Sequence, residues 1–295
     1  MVRSERALRF LLRATGVAVA LRLPFVFLPR RLVAAHIEWH GFGPFPDSPA
    51  MDYLLRSISA LYVLSGLFCW LVSFDTRRYR SLVLYLGWSS VAFGLLLPAV
   101  DLATHSVPAW ALAACGLAAA IGVAVLALDA RANPARQAGG APAWSVPPGR
   151  SPSGWARAAA LVLRLAGTVL LVAAVPLFAP RGVLADWHAR LGFGHYPDAD
   201  LFHFFVRCFS VSVLLTAAFL WILSFGVRRQ APIVLFLGVG AAVYGGFVTV
   251  VDWGLPLPWW WKGFEGPAVV AFGLLVLVLA MGIRHARRKS LGPAP

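Results

Sequence analysis

The chain has 295 residues, of which 60% are hydrophobic and only 13% charged, and it carries a formal net charge of +14. Soluble domains carry about 25% charged residues, so the composition excludes an ordinary soluble domain and predicts an integral membrane protein. The positive balance raises a nucleic-acid reading, which the placement of the charges along the chain excludes.

Crossing a bilayer core takes about 20 apolar residues as a helix. Eight runs meet that length, near 8–28, 53–74, 82–101, 107–128, 158–179, 202–225, 231–252 and 266–283. They are continuous rather than alternating, which predicts helices and not barrel strands. The first run has a basic head and an apolar body, as a signal peptide does. Arg13 and Arg22 interrupt it, no small-x-small site follows, and the same pattern returns at 157–180, so we expect a retained span. Between the first two runs, Leu32, Val33, His36, Ile37 and His40 fall at helical spacing, which predicts a short amphipathic helix in the membrane interface with Trp39 at headgroup depth. Gly41 is expected to stop it. Val183, Leu184, Trp187 and Leu191 repeat the pattern, with Gly192 as the stop.

The second half of the chain repeats the first. At a shift of 151 positions Arg13 meets Arg164, GFGPFPD (41–47) meets GFGHYPD (192–198), and Arg56 meets Arg207. Ser73-Phe74-x-x-Arg77-Arg78 meets Ser224-Phe225-x-x-Arg228-Arg229, Asp101 meets Asp252, and Trp110 meets Trp261. About a quarter of aligned positions are identical at one gapless register, the mark of an internal duplication. The expected organisation is a first four-helix unit at 1–128, a Pro/Gly/Ala/Arg-rich linker at 129–156 that should be flexible, a second unit at 157–289, and a tail at 290–295.

Arginine and lysine in short connections set orientation. The termini, the linker and the loops after the second and sixth runs hold 18 basic and three acidic residues, whereas the opposite side holds eight basic and nine acidic. The basic side is therefore expected to be cytoplasmic, both termini included, in a bacterial inner membrane. Four spans per unit is an even number, so both units point the same way, related by a pseudo-twofold axis along the membrane normal. The positive charge is topology, and no nucleic-acid partner is predicted.

Polar residues in the spans need a reason. Arg56 and Arg207 sit near the outer end of the second span of each unit, and Asp101 and Asp252 close the third. They predict an ion-pair clamp within each unit; a competing reading makes the arginine an outward anion or headgroup binder oriented by the aspartate. Asp47 and Asp198, leading into the second spans, join these as ion-pair or binding candidates. Glu265 stands opposite Ala114 in the repeat, the one asymmetric acid of an outer cavity; Trp261 neighbours it in the aromatic run 259–261, and Pro267 is expected to start the last helix. Arg22, facing Ala173 in the repeat, lies about 10 Å inside the outer end by helix rise and is expected to snorkel, or to pair with Glu38. His105 and His203 are outer-cavity candidates that would point to an enzyme if they met Glu265. His36 and His40 are spaced i, i+4 as metal ligands can be, yet Trp187 and Leu191 replace them in the second unit. No metal and no cofactor is predicted. Cys69, Cys115 and Cys208 lie in apolar runs and read as packing residues. The stripe Gly238, Ala242, Gly246 predicts close helix contact rather than a permeation path.

GFGPFPD, Tyr53-Leu54-Leu55-Arg56-Ser57, Ser73-Phe74-Asp75-x-Arg77-Arg78-Tyr79, Leu86-Gly87-Trp88 and Asp101 resemble small, uncharacterised bacterial four-span membrane proteins, each half separately. Trp260 through Pro267 looks like that family's aromatic–EGP segment, which the first half lacks. The resemblance implies the four-helix unit and supplies no activity. The expected function is a non-enzymatic accessory or binding protein with an outward-facing polar site. Its partners would be the lipid bilayer and a small-molecule or lipid ligand. A transporter working at the repeat interface is the alternative, and a membrane enzyme comes third.

Overall fold

The computed structural model describes residues 2–102, 109–133 and 153–291. Every element in them is helical. In lipid only internal hydrogen bonds satisfy the backbone, and helices do this within one segment. In chain order the helices are α1 (Val2–Ala20), α2 (Leu23–Phe27), α3 (Arg30–Trp39), α4 (Pro49–Ser73), α5 (Arg80–Leu102) and α6 (Ala109–Ala132). There follow α7 (Gly154–Leu170), a 3-10 turn (Leu171–Ala173), α8 (Ala174–Phe178), α9 (Arg181–Arg190), α10 (Asp200–Ser224), α11 (Ala231–Gly254) and α12 (Trp259–Leu291). Eight helical segments are long and apolar enough to cross a membrane. Their flanks are apolar too: Phe10, Trp88 and Val250 are 74%, 64% and 72% exposed, a surface that suits lipid and not water.

Local chemistry explains the breaks. Pro24 and Pro176 have no N–H to continue the ladder, and each first span is interrupted just before its proline, giving α2 and α8 as separate turns. Pro29 and Pro180 then precede α3 and α9. Gly41 and Gly192 leave those helices at φ +73° and +82°, a left-handed conformation that glycine adopts without strain. Ser48 caps α4, its Oγ accepting from the Ala50 N–H at 3.2 Å, with Pro49 in the first helical position.

Two boundaries differ from the sequence reading. The last helix starts at Trp259, not at Pro267, because the Pro258 carbonyl accepts from the N–H groups of Trp261 and Lys262 and opens the helix two turns earlier. Pro267 lies inside it, and the carbonyl it cannot bond belongs to Gly263, which has no side chain to crowd the ring. Asp129, drawn as the first linker residue, is still in α6: it is 2% exposed and held by Arg80 at 3.0 Å and by the Asn133 amide at 3.1 Å. At the other end of the expected linker, Gly154, Trp155 and Ala156 already belong to α7, capped by Ser153; residues 134–152 lie outside the described residues.

The helices pack as pairs with matching contacts. Arg13 Nε donates to Ser73 Oγ at 3.2 Å, and Arg164 Nε to Ser224 Oγ at 3.1 Å. A Cβ on Gly16 would meet the Trp70 ring, and one on Gly167 the Trp221 ring. Between the halves, α4 packs on α10 and α11, and α5 on α10. Arg78 donates to the Arg229 carbonyl at 3.1 Å, and Arg229 donates back to the Arg77 carbonyl at 3.4 Å. One core cluster lies toward this basic end, around Leu12, Val72, Leu82, Leu163 and Ile233; a second lies at the far end, around Val33, Met51, Tyr53, Phe202 and Val248.

Candidate functional site

The far end of the bundle gathers its polar side chains where α4 of the first half meets α11 and α12 of the second. Tyr53, in the first turn of α4, is 8% exposed, and its hydroxyl donates to Glu265 Oε1 in the second turn of α12. The other carboxylate oxygen, Oε2, is shielded from solvent and has no hydrogen-bond partner. Trp261, one turn earlier on α12, places its indole N–H near that carboxylate without completing a hydrogen bond, and its ring meets Tyr53 edge-on with centroids 6.3 Å apart. Asp252, near the end of α11, is fully buried, and neither of its oxygens has a hydrogen-bond partner. It stands close enough to Glu265 for the two charges to repel. Ser57, one turn along from Tyr53, is also fully buried; its hydroxyl lies beside the Tyr244 phenol of α11 and makes no completed bond.

Glu265, Trp261 and Asp252 thus lie in one neighbourhood of the far end. The clamps behave differently. Arg56 donates to two carbonyls at the end of the broken first span, Val26 at 2.9 Å and Leu28 at 3.2 Å. Orphan carbonyls at a helix end need donors, and the α2 break supplies them within reach of Arg56. The Asp101 side chain and His105 lie outside the described residues. In the second half, Arg207 is 1% exposed, and no hydrogen-bonded Arg207–Asp252 pair forms. Asp47 and Asp198 serve the entry loops: Arg30 pairs with Asp47 at 2.9 Å and with Asp52 at 2.8 Å, and Arg181 lies 3.7 Å from Asp198 and also pairs with Asp200.

The remaining candidates stay apart from Glu265. The Arg22 guanidinium lies over the Phe25 ring, 5.6 Å from its centroid, while Glu38 accepts from the Phe45 N–H at 3.4 Å, so the predicted Arg22–Glu38 pair is not made. His203 is 1% exposed and bonds Tyr196 through Nδ1 at 2.9 Å. The His36 and His40 rings are 4.2 Å apart, and His40 Nδ1 lies 2.8 Å from the His36 carbonyl. Burial, then the neighbouring His40 and Arg22, lowers the pKa of His36; burial likewise lowers that of His188 beside the Gly194 carbonyl. Among the described residues no three His, Cys, Asp or Glu side chains form a metal-holding group.

The sequence reading missed Tyr53, Ser57 and Tyr244 as site residues. It sought polar residues kept in both halves, and the signal lies in those that differ. The repeat counterparts of Tyr53, Ser57, Tyr244 and Glu265 are Phe204, Cys208, Phe93 and Ala114. Those four replace hydroxyls and a carboxylate by apolar or weakly polar groups. Cys208, Phe93 and Phe204 indeed belong to an apolar cluster. No known protein family, curated protein or solved structure matches the chain.

Proposed function

We propose that the chain is a binding or accessory protein of a bacterial inner membrane that holds a small molecule or lipid in its outward half, at Tyr53, Asp252 and Glu265, without chemical turnover. It is read as two parallel four-helix units about an axis along the membrane normal, with both termini cytoplasmic. The matched Arg13–Ser73 and Arg164–Ser224 bonds and the reciprocal Arg78/Arg229 contacts support that arrangement. The first pair of bonds marks the two units as alike, and the Arg78/Arg229 contacts approach, within one residue, the exchange that a twofold requires. The arginine-rich loops support the orientation.

The observation that carries the function is the unfinished hydrogen bonding of Glu265 and Asp252. Buried polar atoms are ordinarily paired, and groups left open inside a packed bundle mark where a ligand completes the set. Native mass spectrometry of the intact chain released from membranes tests this. The wild type should retain a non-covalent small molecule or lipid that Glu265→Gln loses. A wild-type mass of polypeptide alone, or equal retention by both, overturns the reading. Orientation is tested separately: Arg78→Cys and Arg229→Cys should resist an impermeant thiol reagent in intact cells, and modification would invert the topology.

A further inference from the structure

The atoms left open at the far-end site have one sign in excess. Glu265 Oε2 and both oxygens of Asp252 are acceptors without a donor, while the open donors grouped with them among the described residues are the Trp261 N–H and the Ser57 hydroxyl. Ser57 is fully buried and comes from α4, a different helix from either acid. Its open hydroxyl, beside Tyr244, is a buried donor left without a partner on a separate helix from the acids. Two buried carboxylates without donors inside a membrane protein are costly if both are charged and unpaired. The arginine one position from Ser57 cannot serve them, because Arg56 is committed to Val26 and Leu28. The Lys262 ammonium sits by the Trp253 ring, 6.0 Å from the centroid. Among the described residues neither Asp252 nor Glu265 forms an ion pair.

The surroundings narrow the class of ligand. All the open acceptors are oxygens, with no imidazole or thiolate among them, which disfavours zinc and other transition metals. The rest of the wall is aromatic: Tyr53 has Trp261 at 6.3 Å and Phe209 at 6.4 Å, both edge-on. Aromatic faces attract organic cations and leave an alkali ion short of the oxygens it needs. A protonated amine brings a positive charge and several N–H donors on one atom, and its carbon body suits the rings.

We propose that Glu265, Asp252 and Ser57 form a site for a protonated organic amine, one per chain. It is one and not two because Ala114, Cys208, Phe204 and Phe93 remove the matching oxygens from the equivalent place in the other half. The proposal rests on the binding reading above and gives that site its ligand class.

The test uses the full chain in detergent and follows thermal unfolding with benzylammonium chloride, benzyl alcohol, or sodium or potassium chloride. Benzylammonium should raise the midpoint saturably, with one equivalent bound by calorimetry, and the alcohol and alkali salts should not. Glu265→Gln and Asp252→Asn should each weaken the apparent affinity at least tenfold. If either fails to fold, Ser57→Ala is the substitute, expected to weaken binding severalfold. An equal shift from benzyl alcohol would mean apolar partitioning, a shift from sodium alone would mean an alkali site, and an unchanged response in the variants would place the amine elsewhere; each overturns the proposal. No amine response, together with a retained ligand that Glu265→Gln loses, would reject the amine class and leave the binding site standing. Failure of both experiments would remove the site itself.

Discussion

Arg56 shows how a charge in a span can be structural without meeting an acid. Its two bonds close the carbonyls of Val26 and Leu28, which lie where α2 ends and before α3 begins. Removing a donor from a buried acceptor costs about 1–3 kcal/mol for each group left open. Arg56→Met should therefore lower the thermal midpoint of the purified chain markedly, and Arg56→Lys should recover only part of the loss, since an ammonium cannot span both carbonyls in the guanidinium's planar fork. Equal midpoints for wild type and Arg56→Met would show that lipid or water already serves those carbonyls. The sequence made Arg56 legible as a residue with a reason, but not the reason. Its partners are backbone atoms exposed by a helix break, and backbone atoms leave no mark in residue types.

At the scale of helices, the small-residue stripe on α11 was read one residue out of place. Gly238 and Ala242 do meet α12: a Cβ on Gly238 would come 2.8 Å from the Leu277 nitrogen, and one on the facing Gly273 would come 2.4 Å from the Ala242 nitrogen. The next contact, however, is Gly245, 2.6 Å from the Val270 nitrogen, while Gly246 has open space. Spacings of three and four both keep a residue on one helical face, and the neighbour's crossing decides between them, which a single helix cannot reveal. The two glycines make a matched test. Gly273→Ala pushes backbone against backbone, with no flexible side chain to yield, and overpacking of this kind costs about 1–3 kcal/mol. Gly246→Ala meets nothing and gains helix propensity worth up to about 1 kcal/mol. Thermal unfolding should show the first destabilised and the second equal to or above wild type; similar losses in both would deny the close α11–α12 contact. Span positions, by contrast, were legible to within a few residues almost everywhere, because length and hydropathy are properties of one segment. At α12 the local signal is Pro267, a common helix opener, whereas the Pro258 carbonyl opens the helix earlier by accepting from Trp261 and Lys262.

For the whole molecule, the matching of positions at a shift of 151 carries most of what the sequence can say, and it draws the eye away from the residues that differ. Shared residues such as Arg13/Arg164 and Gly16/Gly167 turn out to hold helix pairs together. The asymmetric residues Tyr53 and Glu265 meet each other across the halves. Their juxtaposition needs the docking of α4 against α11, which carries α12 beside it, a long-range fact with no counterpart in local pattern. Contacts outside the linker join the two halves. The Tyr85 hydroxyl donates to the Leu215 carbonyl at 2.8 Å, the Gln230 amide to Ser81 Oγ at 2.7 Å, and both core clusters draw residues from the two halves. Polar bonds placed at depth, inside apolar contacts that water does not enter, hold without covalent help. A protease site inserted between Gly139 and Gly140 should therefore be cleavable with both fragments still eluting together from a sizing column in mild detergent, and with the ligand of the wild type still bound. Fragments that separate on cleavage would mean that the linker, and not the α4–α10 seam, keeps Tyr53 against Glu265. In that case a site built from both halves could not persist unaided, and binding should vanish with the cut.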